Sequence, residues 1–234
     1  MKKKATALLA CAFAAAMALC LAGCASGGSK SANESKPQDL KIIESGYALD
    51  QYGAYNYAVV VENPNKTWAA ENIDFSVIAK DENGEVIDTK NDTIVLMFAD
   101  GKTATSGSFY PAKTPASIEF AVSVPSSKWT QEETTMDEFY ENLKVEGLNA
   151  TKNAYGATTF AGEIVNNTEG AFSLTRINIV LRNAEGSIVG GYFTYANSDV
   201  TSNSRQAFSI TSIGPAPEYE TMEAYVDCGW PISS

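Results

Sequence analysis

Polarity alternates with a period of two along much of the chain. Tyr57, Val59 and Val61 fall on one face of a predicted strand, and Ile73, Phe75, Val77 and Ala79 on one face of the next. Asp74, Ser76 and Lys80 alternate with the second set. The pattern returns with Phe160, Gly162 and Ile164, then Thr175, Ile177, Ile179 and Leu181, with Arg176, Asn178 and Arg182 between them. Such alternation predicts sheets with one buried and one solvated face. Asp81-Glu82-Asn83-Gly84 predicts a hairpin turn, because Asn-Gly tolerates positive φ; Asn183-Ala184-Glu185-Gly186 takes its place later. Further strands are predicted at 93–98, 106–110 and 117–124, and at 189–195, 204–211 and 220–228.

These correspondences form an internal repeat. Leu40-Lys41-Ile42 recurs as Leu143-Lys144-Val145, Tyr52-Gly53-Ala54 as Tyr155-Gly156-Ala157, Tyr57-Ala58 as Phe160-Ala161, and Asn63 as Asn166. All four share one spacing; Gly84 and Gly186, then Trp129 and Trp230, follow after small slips. Between the copies, Met136, Phe139, Tyr140 and Leu143 lie at i, i+3, i+4 and i+7, one helical face. Thr130 and Glu133 have capping-box spacing. The expected fold is all-β: two tandem antiparallel β-sandwiches, 40–129 and 143–234, joined by a linker helix over 130–142. Each sandwich is expected to fold as a β-rich unit alone.

The residues Val59-Val60-Val61-Glu62-Asn63-Pro64-Asn65, the run Phe75 to Val86, and Gly101 to Phe109 resemble the FxLYD-type domain of bacterial surface lipoproteins. Gly162 to Asn167, Ile177 to Val189 and Ser198 to Phe208 form the second copy. The Leu-Tyr-Asp of the family name is replaced by Val77-Ile78-Ala79 and Ile179-Val180-Leu181. The resemblance implies an immunoglobulin-like β-sandwich and assigns no site residues.

The N-terminus places Lys2, Lys3 and Lys4 before an apolar run, then Leu21-Ala22-Gly23-Cys24. Small residues before the cysteine, with Leu at the third place back, resemble the bacterial lipobox. The resemblance implies cleavage of residues 1–23 and lipidation of Cys24, with anchoring at the outer face of the bacterial membrane. More than one acyl chain holds such an anchor firmly, at about 0.8 kcal/mol per buried methylene. Residues 24–39 read as the lipidated cysteine and a flexible tether rich in Ser and Gly, with a reach of about 20 Å.

Composition then narrows the chemistry. Removing three lysines from 17 basic residues leaves 14 against 28 acidic ones. This surplus argues against nucleic acid and anionic lipid as partners and leaves a protein or glycan of the cell envelope. Cys228 is left without an intrachain partner and is read as a buried thiol. The chain has no histidine, which removes the commonest general base and metal ligand. Asp81 to Glu85 lacks EF-hand order, since Val86 stands where the loop glycine belongs. No catalytic, cofactor or metal residues are assigned. The expected role is a non-catalytic binding or assembly module. A structural spacer or accessory subunit is the alternative, and a carboxylate-dependent hydrolase the third reading. Tyr52 and Tyr55 are the candidate ligand or partner surface, weighed against simple sheet packing.

Overall fold

A computed structural model describes residues 36–232. The expected signal segment, Cys24 and most of the expected tether lie outside the described residues. The Gln38 amide donates to Asn65 Oδ1 at 2.7 Å while Asn65 Nδ2 donates to the Gln38 carbonyl at 2.9 Å.

The first repeat contains β1 (Lys41–Leu49), β2 (Tyr55–Asn63), β3 (Trp68–Lys80), β4 (Val86–Met97), β5 (Gly101–Phe109) and β6 (Ser117–Ser123). A short β7 (Trp129–Gln131) follows, then α1 (Met136–Asn142). The second repeat contains β8 (Leu143–Lys152), β9 (Ala157–Asn166), β10 (Arg176–Arg182), β11 (Ile188–Tyr195), β12 (Ser204–Pro215) and β13 (Thr221–Asp227). The sheets run β1-β2-β5 and β4-β3-β6 in the first half, and β8-β9-β12 and β11-β10-β13 in the second. All of these pairings are antiparallel. The fold is all-β, two immunoglobulin-like sandwiches of one design.

Backbone geometry repeats with the topology. Gly53 and Gly156 have φ of 89° and 87°, and Gly84 and Gly186 of 81° and 80°. Asn72 and Leu174 pair at 49° and 48°, and Asp100 and Asn203 at 48° and 50°. The recurring asparagine has the same task in both halves. Buried Asn63 donates to the Trp68 and Phe98 carbonyls at 2.7 and 2.9 Å, and buried Asn166 donates to Gly170 and Thr201 at 2.8 and 2.9 Å. Each amide side chain thereby satisfies carbonyls from two separate stretches of chain.

Tyr57, Val59, Val61, Phe75 and Val77 fill one sandwich core, and Phe160, Ile164, Ile177, Ile179 and Leu181 the other. The expectation of one solvated face fails for β2 and β10, which are buried on both sides. Ala58, Val60 and Ala104 of the first half meet Val180 and Ile188 of the second in a third apolar cluster. The β1-β2-β5 sheet therefore lies flat on the β11-β10-β13 sheet. Sheet contact is close because two glycines permit it. A Cβ on Gly46 would lie 1.9 Å from the Ile188 carbonyl oxygen, and one on Gly191 would lie 2.7 Å from Ala58 Cβ.

The helix is shorter than 130–142. Residues 129–131 pair with β3 instead, and the capping box is formed by Thr135 and Glu138 rather than Thr130 and Glu133. The Thr135 hydroxyl accepts from the Glu138 amide at 3.2 Å, and the Glu138 carboxylate accepts from the Thr135 amide at 2.9 Å. The expected face is the buried one. Met136 and Leu143 are buried, and Phe139 and Tyr140 pack against both cores.

Candidate binding surfaces

Tyr52 and Tyr55 are neighbours in sequence but differ in surroundings. Tyr52 sits at the β1–β2 turn and is 60% exposed. Asp50 Oδ1 holds that turn by accepting from the Tyr52 and Ala54 amides at 2.8 and 2.9 Å. Tyr55 is half-buried, edge-on to Tyr47 with ring centroids 5.7 Å apart. Tyr57 is core, and burial pushes its phenol well above the usual range. The repeat supplies a tyrosine that the sequence reading left unassigned. Tyr155 is 91% exposed on the β8–β9 turn, where Asn153 Oδ1 accepts from the Tyr155 and Ala157 amides at 2.9 and 3.1 Å. The signal was present in the matched Tyr-Gly-Ala triplets.

Several grooves indent the surface. One of about 220 Å³ runs between the halves and is lined by Leu49, Asp50, Asn56, Tyr192 and Pro217. A wider one of about 570 Å³ in the second half carries Lys152, Glu185, Glu218, Tyr219 and Glu220. A third, of about 260 Å³, is aromatic: Phe98, Phe139, Phe172, Trp230 and Pro231 line it beside Glu138. Phe98 stacks edge-on to Trp230 at 5.2 Å.

The buried charged side chains of the described residues, Arg176 and Asp227, lie at the seam between the halves. Arg176, 3% exposed, pairs with Asp92 at 3.1 Å, donates to the Ser106 carbonyl at 2.5 Å and lies 4.1 Å over the Phe193 ring. Asn178 Oδ1 accepts from the Ser106 amide at 3.1 Å. Asp227 Oδ1 accepts from the Val95 amide at 3.0 Å, and its other oxygen has no partner. Burial pushes the Asp227 carboxyl up to about 7, opposed by that amide and by the Arg176 charge. The neighbouring Cys228 is buried, and burial raises its thiol far above its ordinary value, which disfavours the thiolate. Tyr140 from α1 bonds Thr103 Oγ1 at 2.7 Å and the Val226 carbonyl at 3.2 Å, tying helix and halves together. Arg176 and Asn178, read from alternation as solvent-facing, are seam residues that meet Ser106 and Asp92 of the first half.

Among the described residues, no cluster of three His, Cys, Asp or Glu side chains has metal-binding geometry, and no helix is long and apolar enough to cross a membrane. No family model matches the chain, and no curated protein matches it. A solved structure of red sea bream transglutaminase is similar to 81% of the chain at 10% identity, with a TM-score of 0.27. The chain spans 29% of that structure's length.

Proposed function

We propose that this chain is a non-catalytic, lipid-anchored binding or assembly module at the outer face of a bacterial membrane. The observation that carries the reading is the use made of buried charge. Among the described residues, the buried charged side chains are Arg176 and Asp227, and both sit in the seam joining the halves. Their chemistry is spent on holding two sandwiches in fixed relation, which gives a rigid body that presents turns, edges and grooves. The lipobox-like Leu21-Ala22-Gly23-Cys24 supports the anchor, and the Ser- and Gly-rich composition of residues 25–39 supports the tether.

Fractionation of cells tests the anchor. Wild-type protein is expected in the membrane pellet and Cys24→Ala in the soluble fraction or medium. Equal pelleting of both would remove the lipoprotein reading.

A further inference from the structure

The matched Tyr-Gly turns of the two halves meet one short piece of chain, Gly214-Pro215 at the end of β12. A Cβ on Gly214 would lie 2.6 Å from Gln51 Nε2 and 3.3 Å from Tyr52 Cε2, and one on Gly156 would lie 3.2 Å from Pro215 Cγ. The first turn thus reaches across the seam onto the second half, while the second turn stays within its own. Gly214, with φ of 77°, is required both by its backbone and by this approach.

Beside this contact lies the groove of about 220 Å³, walled by both halves. Leu49, Asp50, Gln51 and Asn56 come from the first, and Tyr192 and Pro215 to Pro217 from the second. Gly190 sets their spacing, because a Cβ there would lie 3.1 Å from the Asn56 carbonyl oxygen and 3.5 Å from Pro217 Cγ. The polar groups have bonding capacity left. Asp50 Oδ1 is occupied by the amides of its turn, whereas Oδ2 accepts from Asn56 Nδ2 at 3.2 Å and has a further lone pair. Asn56, 5% exposed, accepts from Ser108 at 2.6 Å and keeps a second N–H. Among the described residues, nothing bonds the Gln51 amide or the Tyr192 hydroxyl. The Tyr192 ring is held by stacking on Phe160, with centroids 5.3 Å apart. Burial, reinforced by the Asp50 charge, pushes its phenol up to about 12, so it stays a donor at neutral pH. The second half lacks this equipment. Asn153, Ala154 and Thr159 stand at the matching places, and Thr159 is bonded to Thr211 at 2.7 Å.

Size and charge select the occupant. The groove is smaller than the roughly 300–1,000 Å³ of drug-sized sites, and so suits a single ring. Its lining holds one carboxylate and no lysine or arginine. The wider groove on the other side of Ala216-Pro217 adds Glu185, Glu218 and Glu220 against Lys152, so anions are disfavoured. Asp50 Oδ2 and Asn56 Nδ2 set an acceptor beside a donor, which two adjacent hydroxyls satisfy by donating to one and accepting from the other. Leu49, Pro215 and Pro217 give apolar wall for the C–H surface of a ring.

Resting on the binding-module reading above, we propose that this groove binds one unit of an uncharged saccharide, with adjacent hydroxyls on Asp50 and Asn56 and further bonds from Gln51 and Tyr192. The seam then does more than hold the halves together, since neither half alone has both walls.

The test uses the full chain in zwitterionic-lipid nanodiscs and ligand-observed NMR titrations. The probes are tetrasaccharides of glucose, mannose, galactose and N-acetylglucosamine, with tetragalacturonic acid as the anionic control. Saturable binding of at least one neutral sugar above empty nanodiscs is expected, unchanged by salt, with the anionic control at least about tenfold weaker. Gln51→Ala and Tyr192→Phe are each expected to weaken binding about three- to tenfold. Neither removes a bond within the fold, so Tm is expected to stay within about 2 °C of wild type. Absence of binding by all four neutral sugars would overturn the proposal. So would equal binding of the anionic control, unchanged affinity in both variants, or a proline-rich peptide that binds through Gln51 and Tyr192 when no sugar does. Weakening by Tyr52→Ser with both groove variants unaffected would overturn the groove and leave the binding module standing. The anchored-module reading falls separately, if wild-type protein fractionates as soluble.

Discussion

Strands β2 and β9 hold equivalent places in the two sandwiches and share a buried face, Tyr57, Val59 and Val61 in one and Phe160, Gly162 and Ile164 in the other. Their other faces differ. β2 turns Ala58 and Val60 into the seam, while β9 turns Glu163 to solvent and Ala161 to a half-covered surface. For β3 and β10 the relation is reversed: Asp74 is exposed and Ser76 and Ile78 half-covered, whereas Arg176, Asn178 and Val180 are buried. The first half thus covers its β1-β2-β5 sheet and the second covers its other sheet, β11-β10-β13. Tandem copies stacked in this way use two different surfaces, as in a heterologous interface. Divergence between the copies is then decided by position in the stack. Core faces keep apolar residues; outward faces became either seam or surface.

The two close-approach glycines follow the same rule and give the sharpest way to break it. Gly46 of β1 corresponds to Asn149 of β8, and Gly191 of β11 to Thr89 of β4; both counterparts are exposed. Gly46→Val would drive a side chain into the Ile188 backbone, with Cβ alone 1.9 Å from its oxygen. Neither strand can retreat without opening the seam. Urea unfolding is expected to show a loss of about 3 kcal/mol or more. Asn149→Val is expected to change stability by less than about 0.5 kcal/mol. Similar losses in both would mean that the seam does not limit stability.

The contrast also explains what could be read from the chain. Residue alternation located the strands, and the repeat located their order, because inward faces of both copies obey the same core. The helix face was legible for the same reason: Met136, Phe139, Tyr140 and Leu143 have only one way to be buried together. Its start was not legible, since Thr130-Glu133 and Thr135-Glu138 have the same capping spacing, and β3 decides between them by pairing with residues 129–131. The seam was hidden because its members on β10 are polar. Arg176 and Asn178 look like solvent residues until Ser106 and Asp92 arrive from the other half. Tyr52 is 60% exposed on its turn, whereas the left-handed φ of Leu174 is one that no sequence pattern announces.

The seam's carboxyl gives a second, smaller effect, with a definite sign. Asp227 is pushed up to about 7 by burial from an ordinary value of 3.8. Between those values the unfolded chain is ionised and the folded chain holds the proton, so folding takes up a proton. This group therefore favours the folded state more as pH falls from about 7 toward 4, and costs stability as pH rises. Arg176, its cross-strand neighbour on β10, opposes the shift, and Asp92 from across the seam reinforces it. On the outer sheet Glu146 works in the other direction, because Arg205 and Lys144 hold its carboxyl below the usual range, and its contribution fades as pH falls. Asp227→Asn keeps an acceptor for the Val95 amide. The difference in stability between Asp227→Asn and wild type is expected to grow from pH 5 to pH 7.5, with the variant gaining; a pH-independent difference would mean that the carboxyl is ionised throughout.

The smallest effect belongs to the face of β9 that the seam leaves free. Glu163 occupies the place that Val60 holds on β2 and pairs with Arg205 of the neighbouring strand at 3.0 Å. Both side chains are about half exposed, so solvent screens the pair and its contribution is small. Glu163→Val would exchange that pair for a residue with better strand propensity, and the net change is expected to stay within about 0.5 kcal/mol in urea unfolding. On β2 the converse change, Val60→Glu, would bury a carboxylate against Val180 and Ile188 with no partner. The test of the comparison is the asymmetry. A loss above about 1 kcal/mol for Glu163→Val would show that the β8-β9-β12 face is already committed to holding the fold, and so is not a surface the second sandwich keeps free.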